Sequence, residues 1–131
     1  MPDEETAQPT TPRIERTENF VSSYANSLIF EPNAWDLKII FGQLDQTSGT
    51  TMVKQHLAVT IPWAQAKLAL FWLRMQVEGM EELAGKIALR KDVLPPELPA
   101  LTAEQENDPA WRKIREAYGK AREELFAPYE R

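Results

Sequence analysis

The sequence predicts an α+β fold, a three-stranded antiparallel β-meander followed by one long amphipathic helix, with a separate C-terminal helix. Three observations carry this. Up to residue 61 the apolar side chains recur with a period of two, and from residue 66 with a period of 3.6. A proline-rich stretch, Leu94-Pro95-Pro96-Glu97-Leu98-Pro99, then separates a second helical pattern from the first. The chain accordingly divides into a disordered tail at 1–18, a β-β-β-α core at 19–94, a Pro-rich linker at 95–107 and a C-terminal amphipathic helix at 108–127.

The tail holds Pro2, Pro9 and Pro12, five acids against two bases, and almost nothing apolar except Ile14. So little apolar surface cannot offset the entropy of ordering. Residues 20–30 mix β-formers with small polar residues and read as the first strand. Glu31-Pro32-Asn33-Ala34 is a turn, with Pro suited to an early position and Asn to a later one. Trp35, Leu37, Ile39 and Phe41 alternate with Asp36, Lys38, Ile40 and Gly42 as a half-buried second strand. Asp45 to Thr51, with Gly49, is a polar loop. Val53, Gln55, Leu57, Val59 and Ile61 then alternate against Lys54, His56, Ala58 and Thr60 in a third strand. Short links between consecutive strands imply a meander.

Thr60-Ile61-Pro62-Trp63 opens the long helix, with Pro62 in the first turn and Thr60 as its expected cap. Ala66, Leu70, Leu73, Val77, Met80, Ala84 and Ile87 form a stripe expected to be buried. Phe71, Trp72 and Met75 lie well off that stripe, more apolar surface than one sheet face can cover. A second copy of the chain or the folded-back C-terminal helix would supply the missing layer, and a two-fold homodimer is favoured. Gly85 marks an end or a bend. In the C-terminal segment Asn107-Asp108-Pro109 is a helix start. Trp111, Ile114, Ala117 or Tyr118, Ala121, Leu125 and Phe126 follow as an apolar stripe, opposed by a charged face that includes Arg115 and Arg122; the stripe needs a surface, in its own chain, a partner subunit or another protein.

Composition excludes several chemistries. There is no Cys, hence no thiolate nucleophile, disulfide or Cys-ligated metal, and there is one His. No Gly-rich phosphate loop or G-x-S-x-G occurs. The net charge of -5 belongs to the ends: the tail carries -3, residues 95–131 carry -2, and residues 19–94 balance seven bases against seven acids. A neutral core provides no basic footprint, so nucleic acid is not an expected partner. The acidic N-terminus differs from a secretory signal and no apolar run is long enough to cross a bilayer, so a cytoplasmic protein without membrane contact is expected.

Tyr24-Ala25-Asn26, Phe41-Gly42-Gln43, and Pro62 with Ala66-Lys67 occur in the order and spacing of a known pattern. Over about residues 20–90 the chain resembles the small prokaryotic proteins of domain-of-unknown-function family 3467. Two positions depart from it: Ile40 stands where the family often has Asp, and Ile61 where it often has Ser. The tail and everything beyond about Leu94 lie outside the resemblance. It implies a small, self-associating β-meander plus helix, with no catalytic residues to carry over.

Tyr24, Asn26, Gly42 and Gln43 are the positions most able to do something besides pack, since Asn and Gln amides pair with backbone edges or polar partners. The plainer reading is that they register strands. His56 reads as a solvated strand-face residue beside Lys54, with no second ligand for a metal. Glu78, Glu81 and Glu82 read as the wet face of the helix, with Lys86 opposing Glu82 at i,i+4. No catalytic, cofactor-binding or metal site is expected. The expected function is a homodimeric, non-enzymatic structural or protein-interaction module. Its contacts are Phe71, Trp72 and Met75 on the long helix and Trp111, Ile114, Tyr118 and Leu125 on the C-terminal one. The alternatives are a dimeric nucleic-acid-associated regulator, and a small-ligand pocket between sheet and helix near Tyr24, Asn26 and Gln43.

Overall fold

The computed structural model describes residues 11–45 and 49–129. The reading of residues 1–10 as tail, and the middle of the 45–51 loop, lie outside the described residues. Strands β1 (Ser27–Pro32), β2 (Asp36–Asp45) and β3 (Met52–Pro62) are followed by helices α1 (Trp63–Ala84), α2 (Ala103–Glu106) and α3 (Pro109–Phe126). The strands form one antiparallel sheet in the order β1-β2-β3, which is the α+β meander that the periodicity indicates. The chain divides into two compact units, Met1–Leu70 and Phe71–Arg131, with the boundary inside α1.

In the first unit the opening strand is shorter than expected. Residues 20–26 are not in the sheet, because Asn26 closes it: its N–H donates to the Gly42 carbonyl at 3.0 Å, and its side-chain Oδ1 takes the Leu44 N–H at 2.7 Å. With that N–H taken, β2 has no donor left there to extend the ladder. The first hairpin also turns two positions later than expected. Pro32 is the last residue of β1, opposite Leu37, and Asn33 makes the turn. Asn33 Oδ1 accepts the N–H groups of Trp35 and Asp36 at 2.7 and 2.9 Å, an Asx turn. Trp35 therefore sits at the exposed hairpin tip, outside the strand to which its spacing assigned it.

The strict alternation expected in β3 is broken. Phe41 pairs with Leu57 but Gly42 pairs with Gln55, so His56 is the extra residue of a β-bulge. Lys54 is thereby moved to the face shared by Leu57 and Val59, away from the polar side where alternation put it. Gly42 is the one buried residue among those described. A Cβ there would lie 2.9 Å from Val53 Cγ1 and 3.0 Å from the Lys54 carbonyl oxygen, so the bulge admits only glycine.

β3 passes into α1 with no residue between Pro62 and Trp63. Pro62 is thus the last strand residue, opposite Asp36, and Thr60 pairs with Lys38 in the ladder, so neither plays the helix-start role expected of it. The junction is held by the Trp63 indole N–H, which donates to the Asn33 carbonyl at 2.9 Å.

In the second unit α1 ends at Ala84. Gly85 takes the left-handed conformation, φ 83°, and its N–H bonds to the Glu81 carbonyl at 3.0 Å. Ile87 and Lys86 therefore fall outside the helix, which removes them from the expected stripe and from i,i+4 opposition to Glu82. Thr102 and Gln105 form a reciprocal capping box on the short α2. Asp108 caps α3 by accepting the Ala110 N–H at 2.9 Å, with Pro109 at the first helical position.

Among the described residues no hydrophobic side chain is buried. The α1 stripe expected to be covered is mostly open, with Ala66 and Val77 half-buried and Leu70, Leu73 and Met80 exposed. The physical reason within the second unit is that, among the described residues, no element packs broadly against α1. Gly42→Val should lower the unfolding free energy by about 2–3 kcal/mol through overpacking. Gly119→Ala, in α3 with nothing within 4 Å of its Cβ, should be neutral or raise it by up to about 1 kcal/mol. Denaturant midpoints decide, and an unchanged midpoint for Gly42→Val would contradict the close approach.

Candidate functional site

Three groups of residues compete for the role of site. The first is around Tyr24 and Gln43. Ser23, Tyr24, Gln43, Leu44, Asp45, Lys54 and His56 line an open cleft of about 790 Å³. It lies where β2 ends and β3 begins, the end of the sheet opposite the junction with α1. The β3 bulge brings Lys54 opposite Gln43, and Lys54 Nζ lies 3.7 Å from an Asp45 carboxylate oxygen. Asn26 is not in the lining. Its amide oxygen accepts the Leu44 N–H, which ties β2 to the residue before β1. The cleft offers a phenol, an imidazole, an amide and an ion pair, groups able to hydrogen-bond a small polar molecule.

The second group is the middle of α1. Phe71, Trp72 and Met75 are 54%, 61% and 41% exposed, and the two rings meet edge to face at 5.1 Å and 78°. At about 100° per residue they share a side of the helix with Leu68. Leu70 and Leu73, 67% and 64% exposed, lie on the opposite side with Ala66 and Val77. The helix thus carries two apolar stripes, back to back, neither of them buried. Helices apolar on all sides belong inside a protein.

The third group is on α3. Trp111, Ile114 and Leu125 are exposed, but Tyr118 is not free: its hydroxyl donates to the Pro96 carbonyl. That contact is one of a series. Arg122 Nε donates to the Pro95 carbonyl at 2.8 Å, and Arg115 donates to the carbonyls of Leu98, at 3.1 Å, and Pro99. An extended proline segment has no internal hydrogen bonds, so its carbonyls are open. Here a single face of α3, spaced i, i+3 and i+7, reads them in antiparallel order. Sequence spacing placed Arg115 and Arg122 on the solvent face. The signal that could have found them is their register with Pro95, Pro96 and Pro99.

Past α3 the Tyr129 hydroxyl donates to the Ile87 carbonyl and lies 3.4 Å from Glu81 Oε2, which also accepts the Ile87 N–H at 3.0 Å. Lys86 Nζ sits 4.5 Å above the Tyr129 ring. Arg74 bonds Glu78 at 3.0 Å and lies 3.8 Å from Glu124 of α3. Its pKa is raised further above the usual arginine value, first by the hydrogen bond to Glu78, then by the charges of Glu78 and Glu124. Glu78 and Glu81 are therefore engaged in pairing, and among the described residues no set of three acidic or imidazole groups converges as a metal site would require. No helix of the described residues is long and apolar enough to cross a membrane.

A three-stranded antiparallel meander running into a long helix, with a separate C-terminal helix, defines a small α+β protein. The family model for proteins of unknown function DUF3467 matches residues 1–89, and the chain belongs to that family. The match starts at residue 1, so it takes in the N-terminal segment that the motif resemblance left outside. No curated protein and no solved structure matches the chain.

Partial burial, followed by the charge of Glu81 and the hydrogen bond to it, raises the Tyr129 pKa above its ordinary 10.0. The neutral phenol is thus the form the fold favours. Its contribution is intact below pH 10 and is lost as pH rises through the raised folded value. In a phenolate absorbance titration of the three tyrosines, one should ionise late. Tyr129→Phe should remove that late component, and its survival in the variant would reassign it.

Proposed function

We propose that the chain is a homodimeric, non-enzymatic structural or protein-interaction module working in the cytoplasm. In this reading the Phe71, Trp72 and Met75 side of α1 makes the subunit contact. The observation that carries it is the complete lack of buried hydrophobic side chains among the described residues, together with apolar stripes on both sides of α1. A chain of this composition gains most of its stability from apolar burial, and two copies meeting through aromatic and methionine side chains supply it. Such residues are typical anchors of protein interfaces. Trp111, Ile114 and Leu125 on α3 offer a second surface, suited to another protein. The absence of Cys accords with a reducing compartment.

Light scattering of the full chain at micromolar concentration should give twice the 15.0 kDa chain mass, and a strict monomer would sink this reading. Trp72→Glu should weaken the dimer by at least about 2 kcal/mol, roughly 30-fold in Kd, while Trp35→Glu at the hairpin tip should leave it unchanged.

A further inference from the structure

The sheet carries an apolar face of its own. Cross-strand pairing puts Leu28, Phe30, Leu37, Ile39, Phe41, Leu57, Val59 and Ile61 on one side. Of these, Leu28, Phe30, Leu57 and Val59 are 50%, 56%, 39% and 41% exposed. A sheet with one apolar face packs it against another layer, and a helix is the usual cover when it follows the sheet in sequence.

Here the following helix starts without a connection. Strand-to-helix links in which a chain reverses to lie over its own sheet take about 2–6 residues, and between Pro62 and Trp63 there are none. The first turns of α1 do not use the sheet either, since Leu68 and Leu70 remain exposed and the Trp63 indole points its N–H at Asn33.

We infer that the apolar sheet face is covered by α1 of a second copy, so that the two chains exchange their helices. The inference rests on the homodimer reading above and deepens it. Each α1 would set its Leu70–Leu73 stripe on the partner's sheet, while the Phe71–Trp72–Met75 stripe meets its own symmetry mate. Exchange covers the sheet face and both α1 stripes at once. Packing sheet on sheet would leave one stripe of each helix in water, and packing through Phe71, Trp72 and Met75 alone would leave both sheets open.

The area is sufficient. At about 150–250 Å² per fully exposed aromatic side chain, the exposed fractions of Phe30, Phe71 and Trp72 come to about 350 Å². That is nearly half of the ~800 Å² each partner gives to a standard interface. Leu28, Leu57, Val59, Leu70 and Leu73 bring it past that mark. A two-fold arrangement makes the contact isologous, sheet to helix and helix to sheet.

The test is an isotope-filtered NOE experiment on a one-to-one mixture of labelled and unlabelled full chain, refolded together. Methyl contacts of Leu28 and Val59 with Leu70 and Leu73 should appear as intermolecular peaks. Their appearance only within a chain, or intermolecular peaks confined to sheet with sheet or to Phe71, Trp72 and Met75, would overturn the exchange while leaving the dimer standing. A monomer by light scattering would overturn both. A second route uses the Cys-free background: Val59→Cys chains mixed and refolded with Leu73→Cys chains should cross-link about tenfold faster than either alone, as tethering at millimolar effective concentration requires. Equal rates would count against exchange.

Discussion

The passage from β3 into α1 without an intervening residue constrains everything downstream. A strand at a sheet edge that becomes a helix at once has no loop in which to choose a direction. Its geometry is fixed by the strand it leaves and by whatever holds the corner. Asn33 holds it from the other hairpin, accepting the Trp63 indole with its carbonyl while its side chain closes the β1–β2 turn. One residue therefore sets both the register of the first hairpin and the departure of the helix.

Periodicity made much of this architecture legible. Leu37, Ile39 and Phe41 alternate cleanly, and the spacing from Ala66 to Ala84 is helical, so the sequence alone places β2, β3, α1 and α3. The shortage of cover for α1 was also readable, because the positions of Phe71, Trp72 and Met75 demand a second layer. What periodicity does not contain is pairing. Whether His56 faces a partner residue depends on the strand opposite, so the bulge at Gly42 and the transfer of Lys54 to the other face were invisible. Asn26 and Asn33 were ambiguous for a related reason. An amide can close a ladder, shape a turn or meet a ligand, and the choice is made by residues distant in sequence.

The C-terminal unit shows a different limit. A helical wheel sorts side chains by polarity and sends Arg115 and Arg122 to water. It has no category for a guanidinium that stays wet at its edges while reaching the backbone of a neighbouring extended segment. Tyr118 was assigned to the apolar stripe for its ring, whereas its hydroxyl decides where it sits. The stretch that read as a spacer consequently forms a layer on α3 over residues 95–99, and the helix offers partners less surface than its sequence suggests.

That layer has a consequence for how such a segment changes over time. Arg115, Tyr118 and Arg122 address main-chain oxygens, so what they recognise is an extended backbone and not the identity of the side chains borne on it. Any substitution that keeps residues 95–99 extended preserves the contact. Conversely, one exchange among the three reading side chains breaks it however faithfully the prolines are kept. Recognition here is of a shape more than of letters, and the match to the family model, which ends at residue 89, does not reach this segment.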